Sequence, residues 1–169
     1  MANKSVVRLD DARFPNADTF SVRAEVELEN GFVGKLGEIE EGNADVRALE
    51  TPVAEDSLVL IANPAIIYDN GRQGSGLEVN YFMEAGKVVR SYNPRPTFVF
   101  GVSKEGINGT AVIGEYLVAG AGHKLAPSAT LPAKGFAAKV VREDAVGGML
   151  TINTTQTPVV YVVVEVVQN

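Results

Sequence analysis

The chain ends on a segment that is apolar at almost every position, PVVYVVVEVVQN, residues 158–169. Seven of these twelve residues are valine, and β-branched side chains favour an extended backbone. Drawn as a strand, the segment has valine at every even position from 160 to 166, and Glu165 interrupts its opposite face. A strand that is apolar on both faces is usually covered on both, and on an open sheet edge it promotes aggregation. We therefore expect it to be paired on both sides, inside a sandwich or barrel or along a subunit seam.

Strand signals dominate the rest of the chain as well. Its 17 glycines and 8 prolines separate short valine-rich runs, a rhythm typical of short strands and turns. The sequence therefore predicts a mainly β fold, a small β-sandwich or barrel of short antiparallel strands with an extended N-terminal arm. We expect residues 1–19 to form the arm and residues 20–169 to form a single β-rich domain, with a candidate sub-boundary near residues 69–80.

The clearest alternation of apolar and polar residues runs from Phe20 to Leu28 and places Val26 on the apolar face. The pair Asn30-Gly31 follows, and it favours a type I′ turn because both residues tolerate positive φ. With a return strand over 32–39, this pattern predicts a β-hairpin. Further strands are expected within 45–52, 57–64, 86–92, 97–103, 114–120, 135–144 and 148–154, a loop over 68–78, a short helix or turn near 79–86, an extended connection over 92–96 and a turn-rich link over 126–135.

The net charge of −6 is unevenly distributed along the chain. Residues 1–60 hold 13 acidic and 6 basic residues, whereas residues 61–169 hold 8 acidic and 9 basic ones. Phosphate binding requires clustered Lys and Arg, so no nucleic-acid partner is expected. The start of the chain has no apolar core of a secretory signal, and the longest apolar run is far shorter than the about 20 residues of a membrane-spanning helix. We therefore expect no membrane partner.

No residue pattern predicts catalysis, a cofactor or a metal site. His123 is the only histidine and the chain has no cysteine, so a zinc site lacks ligands and we expect an exposed loop histidine. The stretches GVSKEG and GAGHK do not match a phosphate-binding loop, EIEEGNAD does not match a calcium loop, and no serine lies in a nucleophile elbow. The aromatic residues at strand spacing are expected in the core rather than in a binding platform: Phe14, Tyr68, Tyr81, Phe82, Tyr92, Phe98 and Phe100.

Five stretches between about residues 20 and 145 carry a resemblance to a known family: ENGFVGKLGEIEEG, LVLIANPAIIYDNGR, EAGKVVRSYNPRPTFVFGVSKEGING, GEYLVAGAGHKLAPSAT and GFAAKVVRED. They resemble the head decoration, or capsid-stabilising, proteins of tailed bacteriophages. The resemblance implies a β-rich protein without catalytic residues that is made in the bacterial cytoplasm and resides on the capsid exterior of the virion. It also implies the phage major capsid protein as partner and self-association, often as a homotrimer.

Some proteins of this family contact the shell through an N-terminal arm. The resemblance therefore makes residues 1–19 the matching position, with Val6, Val7, Leu9 and Phe14 as apolar anchors. The apolar C-terminal strand, which could lie along a subunit seam, adds Tyr161 and Val163 as candidates for capsid or subunit contact.

Two other functions are compatible with the same pattern. One is a tail-tube or head–tail connector subunit, since these also build rings of β-sandwiches. The other is a β-barrel domain that binds a sugar or another small ligand, which the tyrosines, phenylalanines and paired acidic residues would serve.

Overall fold

The computed structural model describes residues 3–9, 18–66, 78–145, 150–152, 155–157 and 159–169. Short strands account for most of its regular structure, and one-turn 3₁₀ helices span Glu78–Asn80, Lys104–Gly106 and Ala121–His123. The strands are β1 (Val7–Arg8), β2 (Thr19–Arg23), β3 (Val33–Ile39), β4 (Val46–Glu50), β5 (Val59–Ile61), β6 (Val88–Tyr92), β7 (Val99–Ser103), β8 (Tyr116–Ala119), β9 (Leu125–Ser128), β10 (Ala137–Ala145), β11 (Leu150–Ile152), β12 (Thr155–Thr157) and β13 (Val160–Gln168).

The strands form a closed barrel and a separate open sheet. The barrel has five strands in the order β2-β4-β3-β5-β6, and all its pairs are antiparallel except β2 with β4. The sheet has six antiparallel strands in the order β1-β7-β13-β10-β8-β9, and β11 and β12 pair with each other. The mainly β fold class predicted from the sequence is therefore confirmed. No helix in the described part of the chain is long and apolar enough to cross a membrane.

The valine-rich C-terminal segment lies in the middle of the six-stranded sheet. Strand β13 pairs with β7 on one side and β10 on the other, so that Val164 faces both Phe100 and Val140 across the ladder. The side chains of Val162 and Val164 are fully buried. Pairing on both sides was expected because the segment is apolar on both faces, and the structure confirms it.

Two hydrophobic clusters form most of the core, and the larger one joins the barrel to the sheet. One cluster fills the barrel and contains Val59 and Ile61 of β5. The residue between them, Leu60, belongs instead to the larger cluster beneath the sheet, because alternate residues of a strand face opposite sides. Phe98 and Phe100 are buried in this larger cluster with ring centroids 6.1 Å apart, which confirms that they are core residues.

The predicted hairpin over residues 20–39 is wrong. Strand β2 pairs with β4 and β6, whereas β3 pairs with β4 and β5. The apolar alternation ends early, since the chain bends at residues 25–26 and the side chain of Val26 is 49% exposed. In the turn that follows, Gly31 has positive φ and Asn30 does not, so the type I′ geometry is not adopted.

A tertiary contact explains why this local turn signal failed. The side-chain amide of Asn30 donates to the carbonyl of Asn63 at 2.9 Å, and its oxygen accepts the Asn63 N–H at 2.8 Å. The buried Asn30 side chain thus continues the pairing of β3 with β5, as another residue of the ladder would. Its conformation is set by Asn63, which is distant in sequence, rather than by its neighbour Gly31.

Most of the other expected strands are present: β4, β5, β6, β7, β8 and β11 lie within their predicted ranges, and β10 extends one residue beyond its range. The link predicted over 126–135 is partly wrong, because Leu125–Ser128 forms β9 and pairs with β8. Pro127 is tolerated there since β9 is an edge strand. The loop expected over 68–78 lies almost entirely outside the described residues. The candidate sub-boundary near 69–80 falls between β5 and β6, which are neighbours in the barrel, and the domain division remains a prediction.

Candidate functional site: the N-terminal segment and its seat

Residues 3–9, called here the N-terminal segment, lie against the barrel and the sheet. Within it, β1 forms the edge of the sheet, and Val7 pairs with Val102 of β7. The Val6 carbonyl accepts the N–H of Ser103 at 2.9 Å, and the Val6 N–H donates to the Ser103 hydroxyl at 3.1 Å. Lys4 N–H donates to the carbonyl of Val79, which follows the barrel strand β5 in the chain. The surface that receives the segment is called the seat below.

The candidate contact residues from the sequence are largely covered by this docking. Val6 is 2% exposed and packs in a small cluster with Val79, Val159 and Tyr161. Val7 and Leu9 are half-buried against the main cluster, Val163 is fully buried in β13, and Phe14 lies outside the described residues. The structure therefore brings Val6 and Tyr161 together within one chain. A role for any of the six in capsid or subunit contact remains a prediction.

Small residues make room for the segment at Ser5. Ser5 is fully buried, and its hydroxyl has no hydrogen-bond partner among the described residues. A Cβ atom built on Gly106 would lie 2.5 Å from the Ser5 Oγ, and one built on Gly31 would lie 3.1 Å from it. Larger residues at either position would collide with the segment. Sequence reasoning missed this feature because Gly31 was assigned to a hairpin turn and Gly106 carries no signal of its own.

Ion pairs hold the segment at its first residues. The Lys4 ammonium lies 2.5 Å from a carboxylate oxygen of Glu27 and 3.1 Å from one of Glu29, and 4.9 Å from the centre of the Phe82 ring. Burial lowers the pKa of Lys4, but hydrogen bonds and charge attraction from both carboxylates outweigh this and raise it. Glu29 also accepts the Ser5 N–H at 2.7 Å.

A second ion pair joins the end of the segment to β10, the fourth strand of the sheet. Arg8 of β1 reaches past β7 and β13 to Asp144 of β10, with 2.8 Å between the guanidinium and the carboxylate. Arg142 lies 3.0 Å from both oxygens of the same carboxylate, and Arg8 stacks over the Tyr161 ring at 5.2 Å. The hydrogen bond from Arg8 lowers the pKa of Asp144, burial opposes it, and Arg142 adds to the lowering.

The prediction that His123 is an exposed loop histidine is wrong. Its side chain is 5% exposed, and Nδ1 lies 3.0 Å from the carbonyl oxygen of Val33. Because a carbonyl only accepts, Nδ1 carries a hydrogen, and Nε2 lies 3.4 Å from the Thr51 hydroxyl. Both partners belong to the barrel side, so His123 fastens the loop after β8 to the barrel. Sequence reasoning missed this because both contacts come from residues far away in the chain.

Shallow grooves lie on the surface formed by the described residues. One, of about 100 Å³, lies beside the N-terminal segment between Lys4 and Lys104, and another, of about 250 Å³, lies between Lys35 and Asn93. The barrel interior is filled by its own side chains. Among the described residues, no group of three or more His, Asp or Glu side chains is placed to hold a metal ion.

Three exposed aliphatic side chains belong to strand β10 and to the turn that is hydrogen-bonded to it. Val112 and Ile113 are 49% and 62% exposed, and Val141 of β10 is 43% exposed. The turn that carries the first two is tied to β10 because Gly114 N–H donates to the Val140 carbonyl at 2.9 Å. These three residues are called the aliphatic patch below.

Comparison with models of protein families, with curated proteins and with solved structures finds no match to this chain.

Proposed function

We propose that this chain is a non-enzymatic structural protein of a tailed-phage virion. In this proposal it binds the outer surface of the major capsid protein lattice, as a homotrimer, and stabilises the mature head. It is made in the bacterial cytoplasm and needs no cofactor. The proposal begins from the resemblance of five sequence stretches to head decoration proteins, and the β-rich architecture is compatible with it.

The structural observation that carries the proposal is the aliphatic patch. Val112, Ile113 and Val141 expose a large fraction of their side chains, and grouped apolar side chains on a protein surface mark sites of interaction. Complete burial of an aliphatic side chain contributes about 1.5–3 kcal/mol, and these side chains, which are already about half-buried, would contribute about half of that each. A modest contact suffices on a capsid, since many copies act on the same shell.

Binding to capsid shells tests the proposal. Purified protein is co-sedimented with expanded, undecorated shells, beside an Ile113→Asp variant and a Val53→Asp control. Val53 is equally exposed, at 63%, but lies in the loop after β4. We expect saturable binding of the unmodified chain and the control, and at least about tenfold weaker binding of Ile113→Asp, because a charge replaces buried apolar surface.

Two other results of the same experiment would contradict parts of the proposal. Equal binding of all three proteins would remove the aliphatic patch from the contact. If no protein binds shells at any concentration, capsid decoration is excluded, and assembly of the purified chain into tubes or rings would then point to a tail or connector subunit.

A further inference from the structure

We propose that the N-terminal segment is exchanged between copies of this chain, so that residues 3–9 of one copy occupy the seat of a neighbouring copy. The inference deepens the self-association part of the proposed function and rests on it. The occupant of each seat is a second copy of the same seven residues, and the contacts are those seen within one chain.

The segment is a separable part of the fold. Strand β1 is two residues long and lies at the edge of the sheet, bonded only to β7 among the described strands. Its removal leaves the ladder of the other five strands intact. Within the described residues, side-chain bonds of the segment reach Glu27, Ser103 and Asp144, which lie at least 23 positions away. These bonds hold the segment to the body of the fold.

The segment and its seat are complementary in charge and shape. Lys4 meets the carboxylates of Glu27 and Glu29 at one end, and Arg8 meets Asp144 at the other. Between them, Ser5 fits the space left by Gly31 and Gly106. Two cations at this spacing around a small buried residue make the seat specific for this sequence. An unrelated peptide would lose one or both ion pairs, or would press a larger side chain against Gly31 and Gly106.

An empty seat would expose apolar surface, and this favours refilling. Loss of the segment uncovers the cluster partners of Val6, which are Val79, Val159 and Tyr161. A segment from the same or from another copy restores identical contacts, so exchange costs little, as in domain swapping. Eight residues separate Leu9 from Asp18, and a fully extended chain of that length spans about 28 Å. In an oligomer the neighbouring seat is at high effective concentration.

Cysteine capture tests the exchange, and the chain is suited to it because it has no cysteine. Val7 and Val102 face each other, and the adjacent pair of Val6 and Ser103 carries the ladder hydrogen bond. They therefore form a non-hydrogen-bonded pair, with Cα atoms about 4.5 Å apart, within the range of a disulfide. Chains carrying Val7→Cys alone are co-expressed with tagged chains carrying Val102→Cys alone, then oxidised and separated without reductant.

With exchange, we expect a disulfide that joins a Val7→Cys chain to a Val102→Cys chain. The control is co-expression of Lys139→Cys and Glu165→Cys chains, whose positions pair between β10 and β13 within one body, and it should give no mixed product. The double variant Val7→Cys/Val102→Cys verifies the register, since it forms a disulfide within one chain without exchange and between chains with it.

The inference is overturned if the double variant closes within single chains and the mixed chains stay unlinked. Sedimentation velocity of the same samples separates this from failure of the proposed function. A trimer of internally closed chains would refute the exchange and leave self-association standing. Capsid binding is measured independently of either result.

Discussion

The seat of the N-terminal segment makes one prediction that depends on a single atom. Gly106 is buried in the one-turn helix Lys104–Gly106, and its φ lies outside the left-handed region, so an alanine backbone is allowed there. The added Cβ, however, would lie 2.5 Å from the Ser5 Oγ and 2.7 Å from the Val102 Cγ2. Gly106→Ala therefore forces either the segment or β7 to move.

The cost follows from overpacking and from lost burial. Overpacking a core typically costs about 1–3 kcal/mol, and release of the segment would cost a similar amount by exposing Val6, about 1.5–3 kcal/mol. We expect the melting temperature to fall by about 2–12 °C, since 1 kcal/mol corresponds to about 2–4 °C in a domain of this size. Adding Ser5→Ala removes the closer contact and should restore part of the loss.

Thermal unfolding and hydrogen exchange measure this effect. Gly106→Ala should speed exchange of the Ser103 amide, whose N–H is bonded to Val6, and leave barrel amides unchanged. Gly101→Ala is the matched control in the adjoining strand, because its added Cβ would meet its nearest neighbour at 3.5 Å, an ordinary contact. If Gly106→Ala and the unmodified protein have the same melting temperature, and the Ser103 amide keeps its protection from hydrogen exchange, the segment does not occupy this seat.

Three further predictions concern other contacts. Thr97 has φ of 74° in the turn closed by the bond from Phe98 N–H to the Arg95 carbonyl. Thr97→Gly should raise the unfolding free energy by about 0.5–1 kcal/mol in urea titration, because relief of a left-handed β-branched residue exceeds the entropy cost of glycine. Lower stability of the variant would show that the turn is not strained. The Asn169 amide bonds to both backbone groups of Leu58 and to the Pro94 carbonyl; Asn169→Ala should cost about 1–3 kcal/mol in the same titration, and no change would mean that water replaces these bonds. The pKa of Asp144 in the folded chain lies below its ordinary 3.8, so the unfolded chain binds the proton first as the pH falls. The ionised Asp144 carboxylate therefore stabilises the fold above pH 3.8, and this stabilisation is lost as the pH falls through the lower, folded pKa. Asp144→Asn should flatten that part of the pH–stability profile, and an unchanged profile would assign it to other carboxylates.

The sequence was most informative where one residue pattern decides the outcome locally. The valines of β13 were expected to be paired on both sides because both faces of the segment are apolar, and the structure places them in the middle of a sheet. Short strands such as β5 and β7 were equally visible between turn residues. Alternation identifies a strand and its faces, however, and does not identify its partners.

Tertiary contacts between residues far apart in the chain could not be predicted from the sequence. The Asn30-Gly31 pair predicts a tight hairpin turn, but the bond of Asn30 to Asn63 redirects the chain into a barrel. His123 is a polar loop residue by its neighbours and is buried only because Val33 offers a carbonyl to its ring. Gly106 likewise belongs to the seat because it packs against Ser5, which lies about a hundred positions earlier in the chain. None of these contacts has a periodic signature.

The stability of decorated shells tests the central claim most directly. Expanded, undecorated shells are heated in a calorimeter with and without a saturating amount of this protein. Because a ligand of the assembled shell stabilises it by mass action, the account predicts a higher disassembly temperature that rises with protein concentration and is reduced by Ile113→Asp. A disassembly temperature that is the same with and without the protein would contradict the account.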